Sequence, residues 1–348
     1  MRKIESQILR VLSESEKSLW ELLDANQYTV KEFVAAINNL FNDGLIGVKE
    51  DGKIHLTEEG SKLVNKSALE FKSKICCKCE GKRVILDEKF REILEEYIRI
   101  VKDRPMPDAN FFQGYMCEQD VIYRLALMHY YGDLDGKSFV LIGDDDLLSV
   151  ALSLTGLPSR ILVLDIDKRL GEYIERLREN NGLDIEFQHY DVSNPLPKEL
   201  IGAFDVFSSE PLETLSGLKA FISRGIACLK EGGVGYVGLS TAEASLKKWK
   251  AVEFMLLKMN SVITDIIRDF SKYGTVYETA NYEMFTVRLK FPVSKNPGIC
   301  WYKSSLFRFE VIGKPKPAIK PERHIAIKYI DWKDDITNPF LYMSEEKE

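Results

Sequence analysis

Between Ser138 and Leu170 the chain reads SFVLIGDDDLLSVALSLTGLPSRILVLDIDKRL, a stretch that leaves few folds open. An apolar run, Phe139 to Ile142, ends in Gly143 and three successive carboxylates, Asp144, Asp145 and Asp146. A helix-like apolar segment follows, and a second run, Ile161 to Leu164, closes on Asp165 and Asp167. This is a β-α-β unit with acid at the C-terminal ends of both strands, where doubly wound sheets bind their ligands. Nucleotide-binding turns usually fill that place with glycines so that backbone can approach the ligand. Here one glycine is kept and the rest of the turn is negative, which favours a cationic ligand. Adjacent carboxylates raise one another's pKa and have little structural use unless something positive sits between them.

Further strand and helix patterns alternate downstream: strands at 185–189, 204–207, 234–239 and 262–267, helices at 220–229 and 247–258. Antiparallel-type runs are expected at 283–289 and 306–311. Strand ends bearing Asp144 to Asp146, Asp165, Asp191 and Glu210 in turn give the expected fold class. It is α/β, a Rossmann-like doubly wound sheet that resembles the class I methyltransferase and spermidine synthase fold. A first-turn glycine (Gly143) followed by an acid closing the second strand is the pattern of adenosyl-binding proteins. Asp165 would accept hydrogen bonds from ribose hydroxyls, and Asp191 would stand near the adenine amino group. Asp167 reads equally as the N-cap of the helix that begins at Lys168. Asp191 reads equally as a turn former.

Residues 1–70 read as a winged-helix-like domain: three helices, a two-stranded wing around Glu50-Asp51-Gly52, and a further helix opened by Thr57. Its third helix, Thr29 to Asn42, carries one lysine against Glu32 and Asp43, too little positive charge to neutralise several phosphates. The net charge of −6 argues in the same direction, so docking or dimerisation is preferred over nucleic-acid binding. A homodimer is left open. Residues 71–107 hold a Cys76-Cys77-Lys78-Cys79 turn, a helix, and the prolines Pro105 and Pro107 as a boundary. Tetrahedral zinc needs four ligands and this turn supplies two or three, so thiols are expected and no metal is assigned. Residues 108–312 form the catalytic domain. Residues 313–348, with a stiff Lys314-Pro315-Lys316-Pro317 start and a charged Ser344 to Glu348 end, are either a mobile tail or a flap using Asp331, Trp332, Asp334 and Asp335. No window approaches the roughly 20 apolar residues of a membrane helix, and a cytoplasmic enzyme is expected.

An ordinary S-adenosylmethionine site sets glycines beside the cofactor's carboxylate. Three aspartates there would repel that carboxylate and attract the bare ammonium of decarboxylated S-adenosylmethionine. The stretches RPMPDANFFQGY, GDLDGKSFVLIGDDDLLSVALSLTGLPSRILVLDIDKRL, EPLET, SRGIACLK and WYKSS resemble the branched-chain polyamine synthases, the N4-bis(aminopropyl)spermidine synthases. The resemblance implies aminopropyl transfer from decarboxylated S-adenosylmethionine, a co-substrate rather than a prosthetic group, to the secondary amine of spermidine. It also implies that Asp146, with Asp145 second, serves the reacting amine. Asp144, Glu210 and Glu213 would then hold cationic chains, and Gln113 and Tyr115 would close over the acceptor. One departure stands out: where that family commonly has Asp-Pro-Pro-Glu-Thr, this chain has Glu210-Pro211-Leu212-Glu213-Thr214. Competing readings are an S-adenosylmethionine-dependent methyltransferase and a winged-helix transcription regulator.

Overall fold

A computed structural model describes residues 1–65, 69 and 75–342. The expected boundary between residues 70 and 71, and the charged stretch Ser344 to Glu348, lie outside the described residues. The chain begins with α1 (Lys3–Glu14), α2 (Leu19–Asp24) and α3 (Val30–Asn42), then β1 (Ile46–Val48), β2 (Ile54–Leu56) and α4 (Glu58–Lys62). α2 and α3 open on Ser18 and Thr29 in reciprocal capping boxes with Glu21 and Glu32, which satisfy donors that a helix start leaves orphaned. β1 and β2 pair antiparallel, Ile46 opposite Leu56.

α5 (Glu88–Val101) and α6 (Glu118–Tyr130) lead into β3 (Ser138–Ile142), α7 (Leu148–Thr155), β4 (Arg160–Asp165), α8 (Lys168–Asn181) and β5 (Glu186–His189). Then come β6 (Phe204–Ser209), α9 (Leu215–Cys228), β7 (Leu229–Ser240), α10 (Leu246–Lys258), β8 (Ser261–Tyr273) and β9 (Tyr302–Val311). The seven-stranded sheet has the order β5-β4-β3-β6-β7-β9-β8, parallel from β5 to β7, with β9 antiparallel to both β7 and β8. The order in which strands are added reverses between β3 and β6, with β4 and β5 laid down on one side of β3, and β6 and β7 on the other. That topological switch point opens a crevice at the strands' C-terminal ends.

Strand β3 shows why the sheet is covered on both faces. Phe139 and Leu141 pack with α5 to α8, while Val140 and Ile142 pack with α9 and α10. Successive side chains of a strand point to opposite faces, so an unbroken apolar run is buried between two helical layers. A third core belongs to the N-terminal helices and also takes in Ala242, Phe285, Phe291, Trp301, Ile336 and Tyr342 from late in the chain. Among the described residues no helix is long and apolar enough to cross a membrane.

One expected strand is absent. Residues 283–289 form a 3-10 turn, Met284–Arg288, rather than an extended run. The amide of Asn38 on α3 accepts from Lys290 N and donates to Arg288 O, and the Phe285 ring is fully buried against Trp301, so this segment is bound to α3 instead of to a ladder. β8 runs six residues beyond its expected end at Ile267, with register shifts before Asp265 and before Ser271.

On α9, a Cβ at Gly225 would lie 2.3 Å from the buried ring of Phe207 on β6. We therefore expect Gly225→Ala to cost about 1–3 kcal/mol through overpacking, read as a lower denaturant midpoint at unchanged slope.

Candidate active site

The acid turn at the end of β3 is shaped by two residues with positive φ, Gly143 (+76°) and Leu147 (+52°). Glycine reaches that region freely. Leu147 is held there by complete burial, at the N-cap of α7. The turn aims its carboxylates in different directions. Asp144 accepts from Ser149 N at 3.3 Å at the start of α7. Asp145 accepts from Gly114 N at 3.2 Å and faces a large cavity. Asp146 accepts from Met116 N at 2.5 Å and lies in a small adjoining chamber with Arg124. Gly143, Asp145 and Glu210 line both spaces.

The large cavity has a volume of about 390 Å³. Eight carboxylates line it: Asp145, Asp165, Asp191, Glu210, Glu213, Glu243, Asp331 and Asp335. Lys248 is the one cation among the described lining residues. Aromatic rings complete the wall, among them Phe112, Tyr273, Tyr282, Tyr302 and Tyr329.

Asp165 accepts from Asp144 N at 3.0 Å and Asp167 N at 2.7 Å, so it ties the ends of β3 and β4 while opening on the cavity. Asp191 lines the cavity and also makes a turn, accepting from Ser193 N at 2.8 Å. Asp167 caps α8 through Arg169 N. Glu210, at the end of β6, accepts from Arg124 Nη2 and, at 2.5 Å, from the Tyr273 hydroxyl. Glu213 accepts from the Ser240 amide and, at 2.5 Å, from the Ser240 hydroxyl.

Two expected closing residues are engaged elsewhere. Gln113 borders the cavity, but its amide donates to Asp167 at 3.0 Å and accepts from Asp108 N at 2.8 Å. Tyr115 is absent from the cavity wall: its hydroxyl donates to Pro105 O and Arg104 stacks on its ring at 3.6 Å. Sequence reasoning missed Arg124, Tyr273, Glu243, Lys248 and Tyr282. In the expected flap, Asp331 and Asp335 line the cavity, Asp334 accepts from Ser245 Oγ at 2.6 Å, and Trp332 is 70% exposed. Cys76 and Cys77 are exposed, and backbone N–H groups of Cys79 and Lys78 lower the Cys76 thiol's pKa.

Burial sets the protonation of this wall. It raises the Asp144 and Asp145 carboxyls far above the usual range, with neighbouring acids adding to it. Burial and the Glu210 charge push Asp146 up to about 7, against the Met116 N–H and the guanidinium groups of Arg124 and Arg104. Burial likewise brings Asp165 to about 6, Glu213 to about 7 and Glu243 to about 8.

A doubly wound sheet whose switch-point crevice is lined with acid and aromatic rings defines an α/β protein with a site suited to cations. The family model described as the branched-chain polyamine synthase A C-terminal domain matches residues 92–333. This chain belongs to that family. It is 38% identical over 317 residues to the N(4)-bis(aminopropyl)spermidine synthase of Thermococcus kodakarensis, covering 88% of each chain. The synthase of the same name from Methanocaldococcus jannaschii is 37% identical over 318 residues, 89% of this chain and 88% of that one. The crystal structure of the branched-chain polyamine synthase from Thermus thermophilus, in complex with N4-aminopropylspermidine and 5'-methylthioadenosine, superposes with a TM-score of 0.79 at 31% identity. It covers 94% of this chain and 92% of that one.

These buried acids hold their protons more tightly in the folded chain than in the unfolded one, where carboxyls titrate near 4. The folded state therefore binds more protons between about pH 4 and 8, and stability falls as pH rises through that window. The thermal midpoint of the ligand-free protein should drop between about pH 5.5 and pH 8, and a linear triamine should raise it more at pH 8, where more of the acids are ionised. A midpoint that climbs over this interval, or an equal triamine effect at both pH values, contradicts this account.

Proposed function

We propose that this protein transfers aminopropyl groups from decarboxylated S-adenosylmethionine to the secondary amine of spermidine, giving an N4-branched polyamine and 5'-methylthioadenosine. The observation that carries the reading is the cavity wall of eight carboxylates, which fits a polycation and repels a donor bearing its own carboxylate. Family membership and the products bound to the Thermus relative support it.

In this reading the adenosyl group lies along Gly143, Asp165 and Asp191, with Asp165 on the ribose and Asp191 near the adenine amino group. Asp145 and Glu210, at the junction of the two cavities, hold the ammonium groups next to the reacting centre. The reaction is an in-line displacement. The amine nitrogen forms a bond to the propyl carbon, the carbon–sulfur bond breaks, and its electron pair leaves on sulfur as neutral thioether. The attacking nitrogen must be a free base, yet polyamine nitrogens are mostly protonated near neutral pH. Asp146, buried with a pKa pushed up to about 7, is matched to take that proton. A second transfer starts from the tertiary amine made by the first, and that amine has to lose its proton in the same way before it attacks. General-base help of this kind contributes roughly 10²–10⁴-fold. Holding nitrogen and carbon at attack distance is worth on the order of 7–11 kcal/mol.

We read residues 1–70 as a winged-helix-type docking module rather than a nucleic-acid reader. This reading is supported by α3, whose Asn38 and Lys31 bond Arg288 and Trp332 of the same chain. Residues 313–342 act as a flap in this reading, presenting Asp331 and Asp335 to the acceptor.

Asp146→Ala should abolish product formation, followed by mass spectrometry, while 5'-methylthioadenosine still binds in calorimetry. Turnover at the wild-type rate in that variant removes Asp146 from the chemistry. Calorimetric preference for the carboxylated donor over the decarboxylated one overturns the proposed reaction in favour of methyl transfer.

A further inference from the structure

The carboxylates of the site fall into two groups. Asp144, Asp145, Asp146 and Asp165 act on one another around the turn. Glu243 feels the charges of Glu213 and Asp335, and all three feel Lys248. Glu210 feels both groups, since its charge raises the pKa of Asp146 and of Glu213. Within the second group the protein has placed its own ammonium. Lys248, in the first turn of α10, is 3% exposed. Its Nζ donates to Glu243 O at 3.1 Å and lies 3.4 Å from Asp331 and 3.7 Å from Asp334.

A lysine side chain is a primary ammonium on a four-carbon stem, close in chemistry to one end of a polyamine. In a cavity whose remaining ionisable lining groups are carboxylates and phenols, it takes up negative charge that a substrate ammonium would otherwise use. A second ammonium beside it meets like-charge repulsion in a poorly solvated space. We propose that Lys248 is a specificity-determining residue that sets acceptor length, its ammonium standing where the next ammonium of a longer linear polyamine would sit. This rests on the aminopropyl-transfer reading and adds to it the upper size limit of the acceptor. A purely structural role is the competing account: Lys248 also ties the segment bearing Asp331 and Asp334 to α10.

The test compares a linear triamine with the linear tetraamine one aminopropyl unit longer, both with decarboxylated S-adenosylmethionine, in the full chain. Lys248→Met keeps the stem and removes the charge; Lys248→Gln is the second neutral variant, should the first fail to fold. We expect kcat/KM for the tetraamine relative to the triamine to rise about tenfold in the neutral variant, with Lys248→Arg keeping the wild-type ratio. The tetraamine should also raise the unfolding midpoint of the neutral variant more than that of the wild type, a binding readout that needs no turnover. A ratio within twofold of wild type, or an equal shift in the arginine variant, overturns the proposal and leaves Lys248 a tie between segments. If the wild type transfers to neither amine, the reaction reading fails first, and the proposal with it.

Discussion

Carboxylates buried at the end of β3 can stay there only if N–H donors face them or protons neutralise them. Much of the architecture around the site meets that demand. Segment 114–116 supplies the donors, Gly114 N to Asp145 and Met116 N to Asp146, and Ser149 N serves Asp144. A segment that donates outward must itself be held. Tyr115 N donates to the Tyr277 hydroxyl at 2.8 Å, Cys117 N to Lys272 O at 2.8 Å and Gly274 N to Tyr115 O at 3.1 Å. These anchors lie at and just beyond the C-terminal end of β8. The extra length of that strand and its two register shifts bring Lys272 and Tyr273 alongside the acid turn, where Tyr273 also reaches Glu210.

The same logic extends to the rest of the wall. Asp165 is satisfied by two backbone N–H groups, Glu213 by the amide and hydroxyl of Ser240, and Asp335 by Thr337 N and Asn338 N. Donors on one side of each carboxylate leave lone pairs open on the other. The wall is therefore built before a ligand arrives, and a polycation replaces solvent and protons rather than organising the site. The N-terminal helices contribute by sharing a core with Ala242, Trp301, Ile336 and Tyr342, which fixes the loops carrying Glu243 and Asp335 and the start of β9 at Tyr302.

The β-α-β unit, the acid turn and its carboxylates were legible because they are local. Apolar runs of strand length, one glycine and consecutive aspartates sit within about thirty residues of one another. Asp191, Glu210 and Glu213 could be found because each follows a strand pattern and strand ends converge on one crevice. Arg124 was not legible: it lies inside a helix among Tyr123 and Leu125, and only the tertiary packing of α6 against β8, where it also bonds Ser271, turns it toward Glu210. Nothing local in the sequence marks Lys248 or Glu243, which stand among mixed polar and charged residues, as cavity residues. Residues 283–289 were misread because Phe, Thr and Val favour strands, whereas the decisive partner was an asparagine some 250 residues earlier. Tyr115 had the right neighbourhood and the wrong direction, which spacing alone does not encode.

The glutamate at position 210, where the family commonly has aspartate, has a physical counterpart elsewhere in the chain. An extra methylene carries the carboxylate further from β6, and it needs both space and partners. The space comes from Gly238 on β7, where a Cβ would lie 1.8 Å from Glu210 Oε2. The partners are Arg124 and Tyr273, one to each oxygen. A fully buried guanidinium beside a cation-binding cavity would weaken it unless a carboxylate absorbed its charge. Glu210 does so, and by standing between Arg124 and the cavity it keeps the wall negative. The longer acid, the glycine beneath it and the arginine behind it therefore form one unit, and a change at any of the three alters how the carboxylate is presented to the cavity.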